Sequence, residues 1–139
     1  MDYRRFGKTI VCRLERGEEI QQQLRLLAEK EGIKLAEVRA LGATDDFTIG
    51  AYVVSERQYH KHHFTFPAEI TMLWGTINTM KGAYYAHLHM TVGDLEGHAF
   101  GGHLNECRIS ATCEMIVTEI DGAVDRFYDD ATGLNLFHF

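Results

Sequence analysis

Long apolar runs are missing from this 139-residue chain: no stretch approaches the roughly 20 residues that a membrane span requires. Cysteine is scarce. Cys12, Cys107 and Cys113 are odd in number and form no C-x-x-C pair, which argues against a disulfide framework and against a cysteine-based zinc knuckle. Cys12 and Cys113 sit in apolar runs and read as small buried hydrophobes. Proline occurs once, at Pro67. Basic runs are short as well: nothing exceeds Arg4-Arg5, and the net charge is −6. Strong non-specific binding to nucleic acid, which depends on Lys and Arg neutralising phosphates, is thereby disfavoured. There is no P-loop, no G-x-S-x-G and no G-x-G-x-x-G. The opening Met1–Arg5 lacks the apolar region of a secretory signal, so a cytoplasmic location without membrane association is the expectation.

What remains is ordinary for a globular protein, with 45% hydrophobic and 24% charged residues. The length fits one domain, residues 1–139, with room for a real core. Residues 8–14 read as a strand, rich in apolar and β-branched types. A helix is expected from about residue 17 to Glu31. Ile20, Leu24, Leu27 and Ala28 form one stripe, acidic residues lead, and Gly32 follows as a stop. Leu26 lies off the stripe. Ala36–Ala43 and Phe47–Val54 look like consecutive strands joined at Asp45-Asp46. Ser55–Phe66 is polar and histidine-rich and reads as a loop or short helix. Ile70–Thr79 and Ala83–Val92 are strands joined in a hairpin at Met80-Lys81-Gly82. A short strand, His98–Leu104, precedes a long one, Ile109–Ile120. Asp125–Tyr128 and Leu134–Phe139 close the chain as a hairpin. One amphipathic helix on a mostly antiparallel sheet makes an α+β fold. In Ala83–Val92 the even positions are apolar and the odd positions carry Tyr85, His87 and His89. In Ile109–Ile120 the odd positions suit a core. The even positions, from Ser110 to Thr118, form a mixed face that suits a subunit interface or a site wall.

The chemistry concentrates in histidine. His87-Leu88-His89 on a strand sends two imidazoles to one face. His103, fourteen residues beyond His89 and next to Gly101-Gly102, can close on them. Three imidazoles plus a water are a familiar catalytic-zinc set, although imidazole also suits iron, copper and nickel. Read from spacing alone, the same residues are also two surface histidines and one near a turn. A cupin pattern places a glutamate four or five positions after the second histidine, whereas Glu96 is seven on. His60, His62 and His63 lie in a polar segment and read as a solvated loop. His98 reads as a rim or turn residue, and His138 has no visible partner. Glu114 offers an acceptor for the free N–H of a ligating histidine or a partner for an arginine across an interface. Glu114 and Tyr85 are the candidate acid–base groups. Asp45, Asp46, Asp129 and Asp130 look like turn residues.

These motifs carry a resemblance. His87-Leu88-His89, the run Gly97-His98-Ala99-Phe100-Gly101-Gly102-His103-Leu104, the strand with Glu114, and Glu69-Ile70-Thr71-Met72-Leu73-Trp74-Gly75-Thr76-Ile77 together resemble the PPC (plants and prokaryotes conserved) domain family, also called DUF296. The likeness runs over roughly residues 3–138. It implies a central antiparallel sheet, a homotrimer, and a divalent metal site, zinc, whose ligands fall on His87, His89 and His103. In plant members the domain follows an AT-hook, an Arg-Gly-Arg-Pro segment that enters the DNA minor groove. No such segment occurs in this sequence. Three functions follow as expectations. The first is a trimeric metal-binding protein with a binding or regulatory role. The second is a metal-dependent hydrolase or lyase acting on a small molecule. The third is direct DNA binding, which the acidic composition disfavours.

Overall fold

The computed structural model describes residues 1–139. It contains one helix, α1 (Ile20–Glu31), and nine strands: β1 (Asp2–Phe6), β2 (Thr9–Glu15), β3 (Ala36–Val53), β4 (Gln58–Phe64), β5 (Ala68–Met80), β6 (Ala83–Gly93), β7 (Ala99–Glu119), β8 (Asp125–Asp129) and β9 (Leu134–His138). The first seven strands form one antiparallel sheet in the order β1-β2-β7-β6-β5-β3-β4, and β3 also pairs with β7. Since β3 meets β5 along one edge and β7 along the other, and β6 bridges β5 and β7, these four strands close into a ring.

The helix forms where its stripe predicts. Ile20, Leu24, Leu27 and Ala28 are all buried, and they pack on the inner face of β6 and β7. Its N-terminus is capped by Glu19, whose carboxylate accepts from the N–H groups of Gln21 (3.1 Å) and Gln22 (2.7 Å). The same carboxylate accepts from the N–H of Cys107 on β7 at 3.1 Å, so the cap also ties helix to sheet. Gln21 adds a second tie by donating to the carbonyls of Leu104 and Asn105. The core that results is a single cluster of 26 buried residues. Its floor is the alternation read from sequence: Leu88, Met90 and Val92 on β6, and Ile109, Cys113, Met115 and Val117 on β7. Leu26 stays exposed.

Three sequence expectations need correction. Residues 58–64 form strand β4 rather than a loop or helix. They lie at the sheet edge, where both faces stay largely solvated, so no apolar alternation marks them. The two strands expected over Ala36–Val54 are one, β3, and the strand runs straight through Asp45 and Asp46. Its pairing with β7 slips at Gly42/Thr44 and again at Thr44/Asp46, and Thr44 fills the irregularity by donating from Oγ1 to the Arg108 carbonyl at 2.7 Å. His98–Leu104 and Ile109–Ile120 likewise merge into β7. Bulges of this kind break the two-residue period while leaving the strand continuous. Residues 2–6, which carry no strand signal of their own, form β1 and pair with β2. The β5–β6 hairpin forms as expected, with Lys81 and Gly82 at φ 54° and 77°, the left-handed pair of a two-residue turn.

The outer face of the sheet has no helix on it. Along it lie Val11, Leu41, Met72, Trp74 and Ile116, all exposed. Ile116 pairs with Val11 and Arg39, Arg39 with Trp74, and Trp74 with His89, which places the apolar band and the histidines on one side. The β8–β9 hairpin is a separate two-stranded sheet. It is held to β5 by Thr79, whose N–H donates to Val124 O (3.2 Å) and whose hydroxyl donates to Asp125 Oδ1 (2.8 Å). Its turn is built by Asp129, which accepts from the N–H and hydroxyl of Thr132.

Candidate metal centre

Strand register brings the three histidines together. His89 on β6 is paired directly with His103 on β7, and His87 lies two residues back on the same face of β6. The Nε2 atoms of His87 and His89 are 3.2 Å apart. Two imidazole nitrogens at about 2.0–2.1 Å from a tetrahedral cation are separated by roughly 3.3 Å, so this pair already has the spacing of a metal bite. One nitrogen from each of the three rings lies within 4.8 Å of the others. The ring centroids are 5.1 Å apart for His87–His89 and His87–His103, and 5.6 Å for His89–His103.

Glycine permits the approach. His103 pairs with Gly50 of β3, and a Cβ placed on neighbouring Gly102 would sit 2.7 Å from the Gly50 carbonyl oxygen. Any side chain there would push β7 off β3 and carry His103 with it. Electrostatics prepare the rings as ligands. Burial lowers the pKa of His87 to about 4, helped by the charges of His103, Arg126 and His89. Burial, then His89, lowers that of His103. Both rings are therefore neutral near pH 7, with a lone pair free for a cation. The donor set thus fits a divalent ion.

A cleft of about 540 Å³ opens beside the triad, between the outer face and the β8–β9 hairpin. Tyr59 stands edge-on to His103 at 6.0 Å between centroids and donates from its hydroxyl to Asn105 Oδ1 at 2.8 Å. Tyr85 lines the opposite wall, where the Asn135 amide donates to its hydroxyl at 3.4 Å. On the other flank of His87 and His89 lies a recess of about 230 Å³ bounded by Trp74, Phe137 and Arg126. No carboxylate lines either space.

Of the residues singled out from sequence, His87, His89, His103 and Tyr85 meet here. Glu114 does not. It lies eleven residues along β7 from His103, roughly 30 Å or more at the rise of a strand, on the exposed outer face opposite Leu41 and Arg13. Its carboxylate cannot reach a ligating imidazole or a reacting group at the triad. Glu69 is exposed on β5. His60, His62 and His63 lie on edge strand β4, with His63 on Asp46 at 2.8 Å. His98 sits exposed in the β6–β7 turn against Asp94 Oδ2 at 2.9 Å. The His138 ring packs against Phe127. Tyr59 and Asn135 in the cleft and Arg126 in the recess carry no signal in the sequence. The first belongs to the strand read as a loop, and the others to a hairpin whose place over the triad no local pattern encodes.

The model of the Plants and Prokaryotes Conserved (PCC) domain matches residues 1–121. Among solved structures, a candidate DNA-binding protein from Bacteroides thetaiotaomicron is 27% identical, with a TM-score of 0.96 over 99% of this chain and 96% of that one. A metal-containing protein from Archaeoglobus fulgidus is 29% identical, with a TM-score of 0.90 over 100% of this chain and 99% of that one. A plant- and prokaryote-conserved protein from Pyrococcus horikoshii is 26% identical, with a TM-score of 0.87 over 96% and 92%. A curated relative, the bifunctional protein GlmU of a Synechococcus strain, is 30% identical over 140 residues, covering 94% of this chain and 20% of GlmU. The chain therefore spans a fifth of the length of that relative.

Proposed function

The chain belongs to the Plants and Prokaryotes Conserved domain family, and on that premise we propose that it is a cytoplasmic, trimeric protein that holds one divalent cation, zinc, on His87, His89 and His103 and presents it to a small molecule. The observation that carries this reading is the convergence of three imidazole nitrogens, two of them at the bite distance of a tetrahedral ion. The name of the archaeal relative, a metal-containing protein, points the same way. The trimer rests on the outer face, where Val11, Leu41, Met72, Trp74 and Ile116 expose an apolar band of a kind that monomers rarely leave uncovered. DNA binding, suggested by the name of the Bacteroides relative, is the weakest reading for a chain of net charge −6.

Elemental analysis of the purified protein tests the metal. One zinc per chain near neutral pH is expected, and His87→Ala and His103→Ala should each lose it. Protein that takes up no metal, and variants that match the wild type, would sink the site.

A second reading, a metal-dependent hydrolase or lyase, is favoured by the cleft of about 540 Å³ beside the triad, a volume ordinary for a small-molecule site. A zinc ion bound there would lower the pKa of a water molecule to around 7. The residues would do the rest. The hydroxyl of Tyr85 is positioned to donate a proton or a hydrogen bond to a molecule in the cleft, and the ring of Tyr59 shields His103 from solvent. Turnover of activated esters by zinc-loaded protein, lost in His103→Ala and reduced in Tyr85→Phe, is the expected result. Full zinc occupancy without turnover would leave the binding role standing alone.

A further inference from the structure

Arg126 carries a buried charge with no counter-charge. It lies on β8, only 7% exposed, with its guanidinium carbon over two rings, 4.3 Å from the Phe137 centroid and 4.9 Å from that of Tyr85. Nη1 donates to the Asn135 carbonyl at 2.6 Å. Nε is buried and donates to nothing. No acidic side chain is among the groups that perturb it: burial lowers its pKa, and Tyr85 is the one neighbour that raises it. A buried cation left unpaired is costly, and natural proteins leave few of them.

With Nη1 turned to Asn135 and Nε buried, Nη2 is the guanidinium nitrogen left to donate to an outside acceptor, such as an oxygen of a carboxylate or phosphoryl group. Arg126 borders the recess of about 230 Å³ that His87 and His89 also line. The same two histidines form the wall of the larger cleft, so an oxyanion on Arg126 lies within a small molecule's length of the triad. The surroundings favour negative charge. The chain carries 20 Asp and Glu residues, yet none of them lines either space. A divalent cation on three neutral imidazoles would make the region more positive still.

We propose that Nη2 of Arg126 receives the oxyanion group, carboxylate or phosphoryl, of a small molecule whose other end reaches the His87–His89–His103 centre. Only the second half of this statement rests on the metal reading. Contact with the two rings holds the guanidinium in place before the ligand arrives, which keeps the ordering cost of binding low.

The test titrates acetate, and in a separate arm methyl phosphate, into zinc-loaded and metal-free wild-type protein while following the Arg126 Nε–H cross-peak by NMR. A saturable shift with at least one anion is expected, and the stronger responder identifies the class. By calorimetry, affinity for that anion should fall at least tenfold in Arg126→Gln. Arg126→Lys, which keeps the charge but loses the planar guanidinium, should recover only part of it. Because substitution at a buried position can unfold the hairpin, the wild-type cross-peak is the primary readout. A cross-peak that stays still at tens of millimolar of either anion overturns the proposal, and so does one already hydrogen-bonded to a neighbouring subunit before anion is added. Zinc uptake with a motionless cross-peak sinks the proposal and spares the metal site. A moving cross-peak in protein that never binds zinc does the reverse.

Discussion

His87 titrates at about 4 in the folded chain, chiefly because burial penalises the imidazolium. In the unfolded chain the same ring titrates near 6.5. Between those values the unfolded chain takes up a proton that the folded chain refuses, so protonation pulls toward unfolding. For metal-free protein the thermal midpoint should hold steady above about pH 6.5 and fall as pH drops toward 4, with the full loss reached below it. His87→Gln should flatten that fall. Carboxylates held low, such as Asp94 beside His98, lose their stabilisation at still lower pH, and their share survives in the variant. A wild type and variant with parallel pH profiles would show that His87 is solvated. The thiols follow the same physics in the opposite direction. Burial raises Cys107 and Cys113 to about 12 and Cys12 to about 11, so none is a thiolate ligand near neutrality.

Elements hold the triad through a few contacts. Glu19 both caps α1 and accepts from the Cys107 N–H of β7. Glu19→Ala should cost about 1–2 kcal/mol of unfolding free energy, toward the upper end for a cap because a strand N–H is orphaned as well. Chemical denaturation measures it, and a change within error would mean water replaces the carboxylate. Gly102→Ala acts on register. A methyl 2.7 Å from the Gly50 carbonyl must separate β3 from β7, at a cost of about 1–3 kcal/mol. Because His103 is the next residue, zinc affinity should fall with stability, whereas Glu19→Ala should leave affinity intact. The strands themselves were unevenly legible. β6 alternates from Leu88 to Val92 because that face meets the core, whereas β5 shifts register between Ile70 and Met72. β4, with His60, Lys61, His62 and His63, has no core face and so no period to read. β3 and β7 each read as two strands because their bulges reset the alternation partway along.

At the scale of the molecule, the sheet has one face under α1 and another face bare. Val11, Ile116 and Trp74 on that bare face lie in register across β2, β7, β3 and β5. Ile116→Glu sets a carboxylate into this band and should shift the proposed trimer to monomer by light scattering, with the fold retained by circular dichroism. A variant that stays trimeric would place the subunit contacts elsewhere. Glu114 belongs to this outer face by position, opposite Arg13, rather than to the metal.

The sequence by itself determined the local facts. An apolar stripe made α1, alternation set the core faces of β6 and β7, Lys81-Gly82 made the hairpin, and His-x-His put two imidazoles on one side. These are short-range consequences of side-chain period and backbone sterics, so residue order suffices. Only the tertiary structure decided which distant residues share a point. Strand register seats His103 opposite His89 and carries Glu114 far away. Packing of the last hairpin sets Asn135 beside Tyr85 in the cleft and Arg126 at the adjoining recess. Register and packing depend on contacts between residues far apart in the chain, and no local pattern records them.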